Sequence, residues 1–199
     1  MKKDSFFALR IFPLIFMAAV TIVCISVVTG IFLFTEDRVR SNEQLFLRKA
    51  VLAAAGISFP DDDFTEVERI FEERISVRNG WYAASLADGV QGFILPITGA
   101  GLWGPIEMML GFSEDLDAMT GISILSHNET PGLGARIEEP WFLEQFRGKS
   151  GPFEMVQEGT AQADNEIDGI TGATRTTVAV GEIVNRGVSS APDILKRGE

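Results

Sequence analysis

Apolar residues are spread very unevenly along the chain, and the longest apolar run lies close to its N-terminus. Residues Ile11 to Thr35 include no charged side chain and are almost all apolar. About 20 apolar residues suffice for a helix to cross the hydrocarbon core of a bilayer. Pro13 lies near the start of the run, where a helix tolerates proline best, and no Ala-x-Ala cleavage site follows the run. The pattern therefore predicts a retained single-pass transmembrane anchor over residues 11–35, preceded by a flank over residues 1–10.

The next region, residues 36–78, has the pattern of a helical neck. Between Val39 and Ile57, apolar residues recur at nearly helical spacing, which predicts a helix that continues the anchor outward. Gly56 and the FPDDDF segment after it end this helix. The stretch FTEVERIFEERI at 64–75 places its apolar side chains on one face and its charged side chains on the other, as an amphipathic helix does.

From the Asn79-Gly80 turn signal onward, the pattern changes to short strands. Five segments rich in aromatic and branched residues are predicted to be strands: WYAASL, QGFILPI, EMMLGF, MTGISILSH and FEMVQ, at 81–86, 91–97, 107–112, 119–127 and 153–157. The first two are expected to form a hairpin around the turn ADG at 87–89.

Two helices are predicted in the C-terminal part. PWFLEQFRG at 140–148 has the pattern of a short helix that ends at a glycine. A longer helix from about Thr174 to Val188 is predicted by apolar residues at helical spacing: Val180, Ile183, Val184 and Val188. The predicted fold class is α+β, an antiparallel sheet flanked by helices, with the main domain over residues 79–190 and a polar tail over residues 191–199.

The net charge of −11 restricts the possible partners. All but one of the 28 acidic residues, but only 14 of the 17 basic ones, lie from Glu36 onward. Nucleic-acid phosphates demand a basic face, so this acidic balance argues against a nucleic-acid partner. Lys and Arg flank both ends of the anchor, so the positive-inside rule does not decide which side of the membrane the domain faces.

The sequence predicts neither a catalytic residue nor a metal site. His127 is the only histidine, and Cys24, the only cysteine, lies inside the anchor, so the ligand set of a zinc site is missing. Ser126 is adjacent to His127 on a strand, where neighbouring side chains point to opposite faces. The DDD segment at 61–63 lacks the spacing of a calcium loop and is interpreted as a solvated turn. We therefore expect His127 to be structural.

Two segments have compositions that packing alone does not explain. ETPGLG at 129–134 combines a carboxylate, a threonine, an apolar side chain and two glycines. That set suits a flat ligand lying against exposed backbone, and the alternative is a simple turn. DGITGATRTT at 168–177 places an aspartate and four threonines at the start of the last helix, where backbone N–H groups favour an anion. The alternative for this segment is a doubly capped helix.

In this order behind one anchor, the two motifs resemble a specific family. ETPGLG followed by a Trp/Phe helix, D-x-x-T-G-A-T at 168–174, and GAGLWGPI at 99–106 are similar to the FMN-binding subunits of redox-driven ion pumps. These are the G subunit of the Rnf-type ferredoxin:NAD oxidoreductase and the related C subunit of the sodium-pumping NADH:quinone oxidoreductase. The resemblance covers the whole chain; the short chain favours the G subunit, whereas GAGLW is closer to the C subunit.

The resemblance implies covalently bound FMN. In this family the FMN phosphate forms a phosphoester with the threonine that ends the Gly-Ala-Thr run, which is Thr174 here, with Thr176 as the alternative position. Asp168 and Thr171 match the motif that a flavin transferase recognises. Gly172 would leave the hydroxyl accessible to that enzyme.

The same resemblance implies a binding site for the isoalloxazine ring. Trp103, Thr130 and Leu133 would border the ring, although Trp103 is alternatively an ordinary core residue. The other residues matched to the cofactor site lie in the same two motifs: Glu129, Gly132, Gly172 and Ala173.

The function implied by the resemblance is that of a membrane-anchored electron carrier within a multi-subunit ion-translocating oxidoreductase, in which FMN carries the redox chemistry. Its partners would be the other membrane subunits, the flavin transferase that matures it, and the membrane itself. The domain would lie on the periplasmic side of the inner membrane. The alternatives are the C subunit of the quinone-linked pump, a stand-alone extracytoplasmic flavinylated carrier, and an anchored scaffold module without flavin.

Overall fold

The computed structural model describes residues 11–85 and 91–197 of the 199-residue chain. The chain divides into two compact units, one up to Gln44 and the other from Leu45 onward. The turn predicted at 87–89 lies outside the described residues, and the domain bounds given above stay predictions.

The first helix, α1, extends from Phe12 to Ala54 without interruption. It contains a stretch that is long and apolar enough to cross a membrane, judged by length and composition. Along it, the hydroxyls of Thr21 and Thr35 donate to the carbonyls of Met17 and Ile31 at 2.8 and 2.9 Å, so these hydroxyls need no solvent partner. The helix does not break where the apolar run ends, which confirms the predicted continuation.

The end of α1 is closed by a glycine and a threonine. Gly56 has a φ of +73°, and its N–H donates to the carbonyl of Ala53 at 3.0 Å. The N–H of Ile57 donates to the carbonyl of Leu52, also at 3.0 Å. These two hydrogen bonds form the Schellman arrangement of a helix C-terminus. The hydroxyl of Thr120 donates to the carbonyl of Ala54 at 2.7 Å. The last carbonyls of α1 therefore have partners within the protein.

Helix α2, Phe64–Arg74, is the predicted amphipathic helix. Asp63 caps its N-terminus, because the carboxylate accepts a hydrogen bond from the N–H of Glu66 at 3.1 Å. Val67 is its buried residue. The helix leads directly into the first strand.

In the part of the chain that the structure describes, five antiparallel strands form the main sheet in the order of the chain. They are β1 Ile75–Val77, β2 Tyr82–Ser85, β3 Gln91–Ala100, β4 Pro105–Phe112 and β5 Met119–Ser126. The predicted hairpin is confirmed, because Tyr82 pairs with Ile94 and Ser85 with Gln91. The two strands predicted after it are confirmed as β4 and β5. The sequence does not predict β1, since three residues are too few to show an alternating pattern.

After β5 the chain forms short helical turns and then a small second sheet. Gly134–Glu138 and Glu144–Phe146 are 3-10 turns on either side of α3, Pro140–Leu143. Strand β6, Glu154–Val156, pairs in parallel with β7, Glu166–Asp168. The predicted FEMVQ strand is therefore confirmed, but it does not join the main sheet, and the sequence does not predict its partner β7.

The last helix, α4, extends from Thr174 to Arg197. The predicted end at Val188 is wrong, and residues 191–197, predicted as a polar tail, continue the helix. Ala191 is buried, and two later apolar side chains pack against the core. The helix continues through Pro192 because packing of this apolar face against the core stabilises it.

Helices cover both faces of the main sheet. Along β4, Met108 and Leu110 are buried in the cluster that includes α4, whereas Met109 between them is buried in the cluster that includes the end of α1 and α2. Successive side chains of a strand point to opposite faces, which produces this alternation. The α+β fold, an antiparallel sheet flanked by helices, is confirmed.

Candidate functional site

The two motifs singled out in the sequence meet at the first turn of α4, and Glu129 joins them. Its side chain is buried, with 4% of its surface exposed. Its Oε2 accepts a hydrogen bond from the hydroxyl of Thr176 at 2.6 Å. Its Oε1 accepts from the backbone N–H groups of Leu102 and Trp103 at 2.7 and 3.2 Å. The carboxylate therefore connects the ETPGLG loop, the GAGLWG loop and α4.

The surroundings of Glu129 keep it ionised. Burial alone raises the pKa of a carboxyl group, because the charged form loses water. Hydrogen bonds from Thr176, Trp103 and Leu102 outweigh burial and hold the pKa of Glu129 below its ordinary value. The site thus contains a buried negative charge at neutral pH.

His127 supports the same loop, in agreement with the expected structural role. Its Nδ1 accepts a hydrogen bond from the N–H of Glu129 at 3.0 Å, and its Nε2 lies 3.2 Å from Oε1 of Glu138. A ring nitrogen that accepts is unprotonated, so Nε2 carries the proton and donates. Both nitrogens are engaged within the protein.

Two of the four threonines at the start of α4 are buried and build the turn. Thr176 and Thr177 are 1% and 2% exposed. The hydroxyl of Thr176 donates to Glu129. The hydroxyl of Thr177 accepts from the N–H of Ile170 and donates to the carbonyl of Ala173, both at 3.1 Å. These two threonines therefore hold the motif in shape.

The other two threonines, Thr171 and Thr174, are exposed. Thr174 is the first residue of α4. Gly172 between them has a φ of +83°, a backbone conformation that glycine adopts without strain. The motif therefore leaves Thr174 exposed at the start of the helix, beside an open stretch of backbone.

The N-terminus of α4 has no side-chain cap among the described residues. The flanking residue is Ala173, and the hydroxyls of Thr176 and Thr177 are engaged elsewhere. Within the described chain, the backbone N–H groups of residues 174–176 have no acceptor. Alanine is a poor N-cap, and N–H groups at the positive end of a helix dipole attract an anion. The alternative interpretation of this segment, a doubly capped helix, is wrong.

Asp168 and Thr171 organise the segment that leads into α4. Oδ1 of Asp168 accepts from the N–H groups of Thr160 and Ala161, both at 2.9 Å. The N–H of Thr171 donates to Oε2 of Glu158 at 2.8 Å. Hydrogen bonds from the hydroxyl and the N–H of Thr171 hold the pKa of Glu158 below its ordinary value. Both residues thus have a structural role within the motif.

The residues expected to border a flat ligand are exposed. Trp103 is 67% exposed and Leu133 is 47% exposed, so the alternative that Trp103 is an ordinary core residue is wrong. Cδ2 of Leu133 lies 3.2 Å from the position that a Cβ on Gly172 would take, which brings the two motifs into contact. Thr130 and Gly132 are exposed as well. The carbonyl of Thr130 accepts from the N–H of Leu133 at 3.1 Å, so the segment is a turn that also displays these side chains.

Two clefts flank the exposed face of α4, and Thr174 and Val178 line both. One, of about 360 Å³, extends to Ala100–Leu102. The other, of about 220 Å³, extends to β6 and Ile170–Thr171. The exposed residue Thr174 therefore lies between two concave surfaces.

Two larger pockets lie elsewhere in the domain, with volumes of about 650 and 530 Å³. They share Gly56–Ser58 and Arg147 and include no residue of either motif. The guanidinium of Arg147 donates to the carbonyl of Thr120 at 2.8 Å and pairs with Glu144, so its charge is satisfied by the protein. We assign the candidate site to the smaller clefts, where the exposed hydroxyl and the open N–H groups lie.

Leu102, Val178 and Glu158 lie at the site but are not among the residues predicted from the sequence. Val178 follows Thr174 by one helical turn and lies outside the buried stripe of α4. An apolar residue on the exposed face of this helix could therefore have identified Val178 from the sequence. Glu158 offered no such signal, because its contact with Thr171 depends on the pairing of β6 with β7.

Comparison with known proteins agrees with the resemblance stated from the motifs. Residues 101–189 match the FMN-binding domain family. The C subunit of the Na(+)-translocating NADH-quinone reductase of Chlamydia pneumoniae is 44% identical over 92 residues, which are 45% of this chain and 28% of that protein. The G subunit of the Na(+)-translocating ferredoxin:NAD(+) oxidoreductase complex of Acetobacterium woodii is 39% identical over 99 residues, which are 49% of this chain and 47% of that protein.

A solved structure has the same fold. The C subunit of the Na(+)-translocating NADH-quinone reductase from Parabacteroides distasonis superposes with a TM-score of 0.65 and 25% identity, over 76% of this chain and 92% of that one. This chain spans less than half the length of the two curated relatives, 28% and 47%. The resemblance is confirmed over residues 101–189, which match the FMN-binding domain family, and the chain is similar to proteins named as subunits of redox-driven ion-translocating complexes.

Proposed function

We propose that this chain, whose residues 101–189 match the FMN-binding domain family, is an electron carrier that holds FMN covalently through a phosphoester at Thr174. The observation that carries the proposal is the exposed hydroxyl of Thr174 at the uncapped start of a 24-residue helix. The hydroxyl lies in a D-x-x-T-G-A-T motif, beside two clefts.

The residues present fit such a phosphoester. A phosphate on Thr174 would meet the N–H groups of residues 174–176, which have no acceptor in the described chain. Among the described residues, apart from its two neighbours in the chain, only Leu133 lies within 4 Å of the position that a Cβ on Gly172 would take, so a transferase would find the backbone open. Thr176 is a poor candidate for attachment, because its hydroxyl is buried and donates to Glu129.

The isoalloxazine ring is proposed to lie among the exposed side chains around the clefts. Trp103, Leu133 and Thr130 would border it, and Gly132 and Ala173 would allow its close approach to the backbone. Bound FMN supplies the redox chemistry by accepting and passing electrons. The part of the protein is to bind the ring, to orient it and to exclude water from one of its faces.

We also propose that residues 11–35 anchor the carrier in the inner membrane, with the domain on the periplasmic side. Almost all side chains of this part of α1 are exposed and apolar, on every side of the helix, as expected of a helix surrounded by lipid. Single cysteines at Asp62 or Lys196, in a Cys24→Ser background, should react with a membrane-impermeant thiol reagent in intact cells. Reaction only after lysis would place the domain in the cytoplasm.

The carrier is proposed to be the G subunit of a Rnf-type complex, working with other membrane subunits. A flavin transferase that recognises Asp168 and Thr171 would mature it. The relative from A. woodii is named as part of a ferredoxin:NAD(+) oxidoreductase complex. The quinone-linked pump is the second candidate, because the relative from C. pneumoniae has the higher identity, 44% against 39%. Membranes that contain the complex should reduce NAD(+) with ferredoxin in the first case and quinone with NADH in the second.

Mass spectrometry tests the covalent link directly. The full chain is produced together with a flavin transferase and digested, and the peptide that contains Thr174 is sequenced by fragmentation. We expect this residue to carry the mass of FMN less one water. FMN on Thr176, or an unmodified peptide when the transferase modifies a known substrate in the same cells, would contradict the proposal.

A further inference from the structure

We propose that Glu129 is a positioning residue. Its buried carboxylate holds the Trp103 loop, defined as residues 101–104, against the first turn of α4, and so sets where Trp103 stands relative to Thr174. It acts through the protein and does not itself bind the ring. The consequence for FMN rests on the proposed function, whereas the link between the loop and the helix is a property of the chain alone.

The contacts of Glu129 join segments that no local turn brings together. Glu129 is 27 residues away from Leu102 and 47 residues away from Thr176 along the chain. Within the described chain, the N–H groups of Leu102 and Trp103 donate to Oε1 of Glu129 and to no other acceptor. Among the residues that the structure describes, the other hydrogen bond of the Trp103 loop is internal, from the N–H of Gly101 to the carbonyl of Gly104 at 2.7 Å, and the loop joins the paired ends of β3 and β4.

Two glycines provide the space that this carboxylate occupies. A Cβ on Gly101 would lie 2.5 Å from Oε1 of Glu129. A Cβ on Gly134 would lie 2.9 Å from Oε2 of Glu129 and 2.9 Å from the hydroxyl oxygen of Thr176. Neither glycine has a positive φ, so these positions require space and not an unusual backbone. The GAGLWG and ETPGLG motifs are therefore shaped around one side chain.

The chemistry of the carboxylate predicts a graded response to substitution. The three donors to Glu129 are uncharged, and hydrogen bonds to an ionised acceptor are about twice as strong as neutral ones. Glutamine at this position keeps an oxygen for the two N–H groups and offers its NH₂ to the oxygen of Thr176, so the arrangement persists with weaker bonds. Leucine has a similar size and offers no acceptor.

Hydrogen–deuterium exchange of the flavin-free protein tests the link. The full chain is produced in detergent without the transferase, and exchange is measured on a peptide that covers residues 99–106. In Glu129→Leu we expect the amides of Leu102 and Trp103 to exchange about tenfold faster or more, because their acceptor is lost. Glu129→Gln and Thr176→Val should give smaller accelerations at the same two amides.

The matched control is Thr177→Val, which removes an equally buried hydroxyl one residue away that does not bond to Glu129. It should leave exchange in the Trp103 loop unchanged, even where it lowers stability. Unchanged exchange at Leu102 and Trp103 in Glu129→Leu would overturn the proposal. An equal acceleration over β4 and β5 would also overturn it, because Glu129 would then support only the fold as a whole.

A second measurement addresses the flavin. Glu129→Gln should keep covalent FMN but shift its visible spectrum and its midpoint potential, whereas Thr176→Ser, which keeps the hydroxyl, should match the unaltered protein in both. An unchanged spectrum and potential in flavinylated Glu129→Gln would overturn the consequence for the ring. If the unaltered protein carries no FMN, the proposed function fails, and the exchange experiment still decides whether Glu129 holds the loop.

Discussion

The end of α1 and the beginning of α4 are both helix termini at the main sheet. The last carbonyls of α1 have hydrogen-bond partners, whereas the first N–H groups of α4 do not. At the end of α1, Gly56 and Thr120 provide partners for the last carbonyls. At the beginning of α4, Ala173 offers no cap, and the N–H groups of residues 174–176 have no acceptor within the described chain. The contrast agrees with the proposed position of the FMN phosphate, which would provide acceptors for these N–H groups.

The open terminus has a cost in stability. Alanine in place of a good N-cap residue lowers the free energy of unfolding by about 1 kcal/mol. Thr176 and Thr177 lie close by, but their hydroxyls do not cap the helix. Their hydroxyls are engaged with Glu129, Ile170 and Ala173 instead. A residue type that is poor for the helix and suitable for a bound anion is expected at a functional site.

The largest effect, complete loss of the flavin, is expected when the hydroxyl at the beginning of α4 is removed, and removal of the hydroxyl at the end of α1 is the comparison. Thr174→Ala should lose all covalent flavin and change the free energy of unfolding by less than about 0.5 kcal/mol, since the side chain is exposed. Thr120→Ala should keep the flavin and lower the free energy of unfolding by about 1–2 kcal/mol, since it leaves the carbonyl of Ala54 without its partner. In-gel flavin fluorescence and urea unfolding measure the two effects, and a fluorescent Thr174→Ala band would contradict the assignment.

The two glycines with positive φ near these termini offer a matched pair. Gly56→Ala should lower the free energy of unfolding by about 2–3 kcal/mol, because of its φ and because its Cβ would lie 2.5 Å from Nη1 of Arg147. In Gly172→Ala the new Cβ would lie near Leu133, at 3.2 Å. We therefore expect the free energy of unfolding to fall by about 1–2 kcal/mol. Only Gly172→Ala should slow flavin attachment, measured as fluorescence gained per minute with purified transferase. Slower attachment in both variants would show that lost stability is the cause.

A smaller effect is expected from Leu133→Ala, which separates attachment of the flavin from seating of the ring. Because Leu133 is 47% exposed, its truncation should loosen the ring by about 1 kcal/mol. The covalent flavin should remain, while its visible spectrum and midpoint potential shift and iodide quenches its fluorescence more. Val77→Ala, an exposed apolar position on β1, is the control and should change none of these. If Leu133→Ala behaves like this control, the ETPGLG loop is only a turn and the ring lies elsewhere.

The smallest effect is expected from pH. The pKa of Glu129 in the folded protein lies below its ordinary value, so the carboxylate stabilises the fold above the ordinary pKa, and this contribution is lost as the pH falls through the lowered one. Glu129→Gln lacks this contribution at every pH. The difference in Tm between the unaltered protein and Glu129→Gln should therefore be greatest near neutral pH and shrink in acid. A difference that does not depend on pH would mean that the charge of Glu129 has no part in stability.

The elements that the sequence predicts well are those with long local patterns, such as the continuous α1 and the strands β3 to β5. Strands β1 and β7 have three residues each, and their existence depends on a pairing partner that no local pattern reveals. The true length of α4 was visible in principle, because Ala191, Ile194 and Leu195 continue its helical spacing. The helix continues through Pro192 because burial of that face stabilises it.

The candidate site was predictable to a different degree. The importance of Thr174 and of the two motifs came from their order along the chain and from the family they resemble. The burial of Thr176 and the role of Glu129 were not predictable, because they depend on hydrogen bonds between residues 47 positions apart. A sequence shows which residue types are present at a site, and the fold determines which of them face the ligand.

The crowding around Glu129 predicts how these positions vary among similar sequences. Gly101, Gly134, Glu129 and Thr176 share one small volume, although they are scattered along the chain. A side chain at either glycine position would require a shorter acid at position 129, and loss of the hydroxyl at position 176 would remove a reason to keep an acid there. These four positions should therefore be inherited together, so that relatives either retain all of them or have exchanged several at once.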